Sequence, residues 1–406
     1  MTASAGDDDA TIEFVLALAR ALHRYGTPSH RLEEAVAVVC HHLGVTAELF
    51  ATPTTIIVSF GAPAELRTRM MRVEGGETNL AKLADVDELA DQVALGELST
   101  RDGLAALEKI TAAPAHWGRL VSTLVHGITS AAVAVFFHGS AVDVAAAAVA
   151  GLIIGTLGLF LSRTSAQTQV FELVGAFAAA FVSGAAARFI PGVSSQVVTI
   201  AALIPLLPGL SLTTAMIELA TRNLISGTAR LMSAVIVLLE LVLGVAIGER
   251  AAAAAFAIPT NIAPVPLPWW AEWVALVAAA AAVTVVVQAH RRVMPWIMVA
   301  CVIGVLGGRG GTIVLGPEIG VVGGAFALGV LCNLYARWLD RPAQVVLVPS
   351  VFLLVPGSVG FRGMSSLLGR DTITGVETTF AMFVVAMAIV AGLLIANATV
   401  SPRRVL

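Results

Sequence analysis

Two Pro-Gly pairs, Pro208-Gly209 and Pro356-Gly357, are the features of this sequence best placed to do chemistry, because each interrupts a long apolar run. Proline lacks an N–H and glycine tolerates unusual torsions, so both residues break a helix. A helix that restarts there presents free N–H groups and a positive dipole end, which suits a substrate carboxylate. The candidate substrate-binding residues are the two pairs and the small polar residues that follow them: Ser211, Thr213, Thr214, Ser358, Ser365 and Ser366. The alternative is a kink and an interfacial loop without ligand contact.

Ionisable residues within the apolar runs are the second set of candidates, because charge is costly in lipid. Glu240 falls in the middle of a run, and Glu172 and Glu318 fall near the starts of two others. Each is a candidate carrier of a coupling proton, and His126 is a candidate proton relay. The alternatives are an interfacial position for Glu172 and Glu318, and an internally hydrogen-bonded histidine for His126.

Three arginines close to the Pro-Gly pairs are candidate gate residues or attractors of anions. Arg222 and Arg370 lie just beyond the two post-break segments, and Arg362 lies within the second. Their alternative role is to anchor the topology of the chain, since basic residues favour the cytoplasmic side of a membrane.

The elements that position these residues must lie mostly in a membrane. The chain has 406 residues, of which 57% are hydrophobic and only 13% charged, whereas soluble domains are about 25% charged. Half of the charged side chains fall within residues 1–115. The composition therefore predicts a polar N-terminal domain (1–115) and a membrane region, and it excludes a soluble enzyme for most of the chain. The net charge of −3 gives no indication of nucleic-acid binding.

The N-terminal domain has the pattern of a small α/β domain. Apolar spacing predicts helices from residue 10, over 29–43, and near 79–98 and 100–112, with β-rich runs at 46–51, 54–60 and 68–73. The acidic start, without a basic and apolar leader, predicts no signal peptide and a cytoplasmic N-terminus. No spacing of His, Cys and carboxylate residues predicts a metal site, and no glycine loop predicts a nucleotide site. We therefore expect no cofactor.

Ten apolar runs are read as membrane spans of an all-α region. The first half (116–250) contains runs at 120–139, 141–161, 170–189, 194–207 with a continuation to 219, and 228–248. A Pro-rich extracytoplasmic linker (251–269) follows. The second half (270–406) contains runs at 270–289, 294–308, 312–337, 343–355 with a continuation to 368, and 376–397. The two pre-break runs reach only about 20 Å as helix, less than the roughly 30 Å of a hydrocarbon core.

The two halves resemble each other at an offset of 148 residues. Between residues 208 and 227 seven positions are identical to their counterparts. Five spans per half is an odd number, so related halves would enter the membrane from opposite sides, which is typical of alternating-access transporters. With the N-terminus inside, the predicted inner loops hold ten arginines and the outer loops five, which predicts a cytoplasmic C-terminus as well.

The sequence resembles the bacterial threonine/serine exporter family, in its fused two-half form. The resemblance covers nearly the whole chain. It is carried by four motifs: Tyr25-Gly26-Thr27-Pro28-Ser29-His30-Arg31-Leu32-Glu33-Glu34; Pro53-Thr54-Thr55-Ile56; Leu206-Leu207-Pro208-Gly209 followed by Ser226-Gly227; and Leu354-Val355-Pro356-Gly357-Ser358-Val359-Gly360-Phe361-Arg362-Gly363.

The resemblance implies a multi-pass exporter of L-threonine and L-serine in the bacterial inner membrane, driven by proton antiport. Its partners would be a small amino acid, protons and the lipid bilayer; the oligomeric state is left open. Related two-chain proteins linked to dicarboxylate export supply an alternative substrate class, such as succinate. A membrane enzyme is a second alternative, but no hydrolase motif supports it. A scaffold or sensor is a third, and it does not explain the repeat.

Overall fold

The computed structural model describes residues 5–62, 66–73, 78–161, 170–256 and 264–402. Part of the predicted linker, 257–263, lies outside the described residues, as do Arg163, Arg403 and Arg404 of the predicted inner loops. The chain is mostly helical, with one small sheet.

Residues 5–112, called the N-terminal region below, combine four helices with a three-stranded antiparallel sheet of order β1-β2-β3. The elements are α1 (Ala5–Arg24), α2 (Ser29–His42), β1 (Ala47–Thr52), β2 (Thr55–Phe60), β3 (Arg67–Arg72), α3 (Leu80–Ala94) and α4 (Thr100–Ala112). Strand β2 buries alternate residues, as a half-buried strand should, and the side chains of Ile56 and Val58 join a core with Phe14 and Leu18 of α1. Local pattern therefore predicted these elements to within a few residues at most ends.

The remaining helices form two consecutive segments. The first helical segment contains α5 (Arg119–Phe136), α6 (Ala141–Leu161), α7 (Phe171–Phe189), α8 (Ser195–Leu203), a 3-10 turn (Ile204–Leu206), α9 (Gly209–Ala220) and α10 (Leu224–Ala255). The second helical segment contains α11 (Trp270–Val286), a 3-10 turn (Arg291–Val293), α12 (Met294–Leu315), α13 (Val321–Leu339), α14 (Gln344–Val351), α15 (Gly357–Leu368) and α16 (Thr372–Thr399). Helices α9 and α15 have 12 residues each and begin 148 residues apart.

Seven helices in the described part of the chain are long and apolar enough to cross a membrane. Helices α8 and α9, bent by 53° at their break, count as an eighth span if taken together. Helix α11 is apolar but only 17 residues long, and the helices α14 and α15, which are separated by residues 352–356, do not count as a span. The length and composition of its helices thus make the chain a multi-pass membrane protein, and the count of ten spans stays a prediction.

One predicted boundary is wrong. The sequence suggested a loop around Arg309, between runs 294–308 and 312–337, but α12 continues to Leu315 and α13 begins at Val321. The glycines in this stretch do not end the helix. They let α12 approach α13 so closely that a Cβ on Gly311 would collide with the backbone of Gly320. Small residues at a helix–helix contact allow this kind of approach in membranes.

The hydrophobic core has two main parts, and each combines helices that are far apart in the sequence. One joins the N-terminal region to α11, α12, α13, α14 and α16. The other joins the first helical segment to residues of α15 and α16, including Phe361 and Met382. In addition, α9 packs on α16 while α15 packs on α10. The short helix after each break therefore packs on the last long helix of its own segment and also on that of the other segment.

Candidate functional site

The two Pro-Gly breaks meet in the structure. Pro208 (φ −79°, ψ 38°) and Pro356 (φ −84°, ψ 24°) have similar backbone conformations just before α9 and α15. A Cβ built on Gly357 would lie 3.2 Å from the Cα of Gly209, and one built on Gly209 would collide with the side chain of Val355. Only glycine permits this approach without displacement of a neighbour. The two helix N-termini therefore start beside each other.

A cavity of about 310 Å³ opens at this meeting point, and we call it the central cavity. It is lined by both breaks and by α5, α11 and α12, so both helical segments contribute to its wall. Of the candidate binding residues, Gly209, Gly357 and Ser358 line it. Its volume is at the lower end of the range for small-molecule sites, which suits a ligand of a few heavy atoms.

Two polar groups of the central cavity were missed by the sequence analysis. The Thr129 hydroxyl is buried and has no hydrogen-bond partner among the described residues. Arg309 forms an ion pair with Glu272 at 2.5 Å, and the other Glu272 oxygen lies 4.0 Å from Nδ1 of His138. Arg309 and Glu272 are 37 residues apart on different helices, so no local motif could reveal the pair. The positive charge of Arg309 is thus balanced by the neighbouring carboxylate of Glu272.

A second cavity of about 400 Å³, the junction cavity, lies between the N-terminal region and helices α9, α13, α14 and α16. The candidate residues Thr213 and Thr214 line it, together with Arg31 and Glu34 of the N-terminal region. Asn333 Nδ2 donates to Asn397 Oδ1 at 2.8 Å and to the Val400 carbonyl at 2.7 Å in the same wall. The junction cavity is therefore more polar than the central cavity.

A third cavity of about 910 Å³, the far cavity, is lined by α8, α10, α15 and the start of α16 and holds the candidates Arg362, Ser365 and Ser366. Its wall corresponds to that of the junction cavity at the offset of 148 residues. The matched pairs, the far-cavity residue first, include Gln196 and Gln344, Ile200 and Val348, Val242 and Val390, Glu249 and Asn397, and Ser365 and Ile217. Equivalent parts of the two segments thus line both cavities.

The junction and far cavities lie at opposite ends of the long helices. Helix α10 begins against the N-terminal region, where Ser226 Oγ donates to the Ala51 carbonyl at 3.0 Å, and it lines the far cavity near its other end, at Glu249. Helix α16 lines the junction cavity near its end, at Asn397. The last helices of the two segments therefore run in opposite directions relative to the N-terminal region.

The candidate proton carriers are scattered. Glu172 and Glu240 are half-buried on the packed helices α7 and α10 and interact electrostatically with each other. Glu318 is exposed in the turn between α12 and α13. His126 Nδ1 lies 2.8 Å from the Ser122 carbonyl of its own helix, the internal hydrogen bond that was the alternative to a relay.

The other candidates lie at the ends of the short helices. Arg222 and Arg370 are exposed, each in the left-handed region (φ 67° and 66°), at the turns after α9 and α15. Arg362 Nε donates to the Ser358 carbonyl at 3.4 Å. Ser211 lines none of the three cavities. Helix α8, which precedes the first break, is held at its start by the buried carboxylate of Asp143, which accepts from the Ser194 N–H at 2.7 Å.

A completely buried acidic group beside the junction cavity was also missed. Glu218 on α9 is completely buried and pairs with Arg230. Its signal was visible as a lone carboxylate in an apolar post-break helix. Two histidines of the N-terminal region lie close to it, and burial lowers the pKa of both His23 and His30 from 6.5. His23 Nε2 also lies 3.1 Å from the Thr52 carbonyl.

Comparison with known proteins gives two family matches. Residues 13–251 match the model described as a putative threonine/serine exporter, and residues 272–399 match the model described as threonine/serine exporter, ThrE. The two matches therefore fall on either side of the predicted linker and together span most of the chain.

Curated relatives are yeast proteins. Pheromone-regulated membrane protein 10 of Saccharomyces cerevisiae (strain YJM789) is 29% identical over 90% of this chain and 49% of its own length. The protein of the same name from Zygosaccharomyces rouxii is 29% identical over 87% of this chain and 37% of its own length. The chain thus spans half or less of these relatives. No solved structure matches it. The two family matches cover both helical segments and most of the N-terminal region, and the chain belongs to the threonine/serine exporter family.

Proposed function

We propose that this protein is a secondary active exporter of L-threonine and L-serine that exchanges them for protons. The observation that carries the proposal is the central cavity at the contact of the two Pro-Gly breaks. Family membership supports the substrate class. No feature of the family matches indicates an enzyme.

The chemistry of the central cavity suits a small hydroxy amino acid. The N-termini of α9 and α15 offer positive dipole ends to a carboxylate. The unpartnered Thr129 hydroxyl and the Ser358 hydroxyl offer hydrogen bonds to the substrate hydroxyl. Because Arg309 is balanced by Glu272, the site favours a zwitterion over a dianion such as succinate.

The geometry also supports alternating access between two inverted five-helix repeats that together cross the membrane ten times. The junction and far cavities use matched residues of the two segments, and α10 and α16 run in opposite directions. Such pairs of matched entrances around one central site are expected of inverted repeats. The substrate would pass from the junction cavity through the central cavity to the far cavity.

The same contacts support one orientation. The N-terminal region and Pro402 both border the junction cavity, so both would lie on one side of the membrane. The excess of arginines in the predicted inner loops favours the cytoplasmic side of a plasma membrane for both termini, with the N-terminal region as a cytoplasmic domain. Coupling protons would be carried by Glu172 and Glu240, two half-buried carboxylates on the packed helices α7 and α10.

Reconstitution into proteoliposomes tests the proposal. Vesicles loaded with L-threonine and subjected to a pH gradient should release it, and a protonophore should abolish the gradient-driven part. Ser358→Ala should lower the rate, whereas Gly308→Ala, at a helical position with nothing within 4 Å of the added Cβ, should not. Absence of threonine flux under the gradient would refute the proposal. Stronger competition by succinate than by L-serine would instead favour the dicarboxylate alternative.

A further inference from the structure

Helix α9 is the element that connects the central cavity to the N-terminal region. It lines the central cavity at Gly209 and the junction cavity at Thr213 and Thr214. One turn beyond these threonines, Glu218 lines neither cavity and is completely buried. A buried carboxylate must have compensating partners, because desolvation penalises its charge.

The partners of Glu218 come from two other helices. Arg230 of α10 donates to it twice, from Nε to Oε2 at 3.0 Å and from Nη2 to Oε1 at 3.2 Å. The backbone N–H of Ser29, the first residue of α2, donates to Oε1 at 3.1 Å. The carboxylate also profits from the positive end of the α2 dipole. A single side chain therefore joins α9 and α10 to the N-terminal region.

The turn that contacts Glu218 has several buried side-chain atoms without hydrogen-bond partners. Five side-chain atoms between residues 23 and 30 are buried and have no hydrogen-bond partner among the described residues: His23 Nδ1, Tyr25 Oη, Thr27 Oγ1, Ser29 Oγ and His30 Nδ1. Burying such groups costs stability unless other contacts compensate. The Glu218 contact thus attaches this turn to the helices, while the N–H groups of Leu80 and Ala81 attach another part of the N-terminal region to Val287 and Gln288.

The second helical segment has no counterpart to this attachment. The residues that correspond to Glu218 and Arg230 are Ser366 and Thr378, which are uncharged and line the far cavity. The chain has therefore placed an ion pair at only one of two matched sites, and that site is the one that contacts the N-terminal region. This asymmetry distinguishes a docking role from a general requirement of the helix packing.

We infer that Glu218 is a positioning residue through which the N-terminal region holds α9, and thereby Thr213 and Thr214, in place for a substrate in the junction cavity. The inference rests on the proposed function for its substrate. The docking itself does not depend on which solute is transported.

The test replaces the ion pair by the two residues at the corresponding positions of the second segment. The double variant Glu218→Ser/Arg230→Thr then has, at these two positions, the serine and threonine that α15 and α16 already accommodate. A reporter, Ser29→Cys, is buried in the docked state, and the three native cysteines are buried as well. In the otherwise unchanged protein the reporter should resist a membrane-impermeant maleimide, and in the double variant it should be labelled at least tenfold faster.

Transport supplies the second readout. The double variant should raise the KM for L-threonine about tenfold and change kcat less than twofold, because binding geometry rather than translocation is disturbed. The control, Gly308→Ala, where nothing lies within 4 Å of the added Cβ, should leave both the labelling rate and the KM unchanged. If the double variant does not insert into the membrane, Glu218→Gln, of nearly identical shape, replaces it in the same two measurements.

An unchanged labelling rate together with an unchanged KM would overturn the inference, and so would equal effects of the control variant. If the parent protein transports no threonine, the proposed function fails, while the labelling comparison still decides whether Glu218 docks the N-terminal region.

Discussion

The contact between the two breaks gives the sharpest prediction, because it depends on the absence of two side chains. In Gly357→Ala the new Cβ would lie 3.2 Å from both the Gly209 Cα and the Leu207 Cβ, and 3.3 Å from the Gly209 nitrogen. Two of these atoms belong to the backbone and cannot rotate away. In Gly209→Ala the Cβ would collide with the side chain of Val355, so we expect that variant to be at least as severe.

The magnitude follows from the cost of overpacking. Inserting a methyl group into a packed site costs about 1–3 kcal/mol. At about 1.4 kcal/mol for each factor of ten, this corresponds to a roughly 5- to 150-fold loss in the population of states in which the breaks touch. If the transport cycle passes through this contact, the rate of threonine efflux should fall within the same range.

The assay compares three variants in the same vesicles. Efflux of L-threonine and the midpoint of thermal unfolding are measured for Gly357→Ala, Gly209→Ala and the control Gly308→Ala, where nothing lies within 4 Å of the new Cβ. The control should transport normally and gain slight stability, since alanine favours a helix over glycine by roughly 0.5–1 kcal/mol. Unchanged efflux and unfolding in Gly357→Ala would show that the close approach has no part in the cycle.

Four further predictions follow from single groups. Burial lowers the pKa of His23 and His30 below 6.5, so the unfolded chain binds more protons than the folded one under acidic conditions. The stability of the fold should therefore decrease as the pH drops below about 6.5. Thermal melts of the parent and of a double His→Gln variant, measured between pH 7.5 and 5.5, should diverge. Thr129→Val should keep the fold, since the hydroxyl has no hydrogen-bond partner in the part of the chain that the structure describes, but weaken threonine binding in calorimetry. Arg309→Gln should lower efflux more than Arg309→Lys, because only lysine retains the charge opposite Glu272. Burial raises the pKa of Cys40 to about 11, so a maleimide at neutral pH should label it only after denaturation; labelling of the native protein would contradict the packing of α2.

Local sequence predicted the elements well where local forces decide them. The apolar spacing of α4 and the alternation in β2 follow from burying one face of a helix or strand, and both were placed within a residue or two. The break before Gly209 was equally visible, because proline and glycine act on their own backbone. Gly311, by contrast, lies inside α12 and allows Gly320 to pack against it, so the prediction that the helix ends near this glycine was wrong.

By itself, the sequence determined that this is a multi-pass membrane protein with a polar N-terminal region and two halves that share a sequence pattern around a Pro-Gly pair. These properties depend on composition and on residues close together in the chain. Only the tertiary structure decided that the two breaks touch, that Thr129 and Arg309 face them, and that Glu218 binds the N–H of Ser29, 189 residues away. Such contacts arise when packed helices bring distant side chains into a space from which water is excluded, and charge and hydrogen-bonding requirements then act between residues that no local pattern connects.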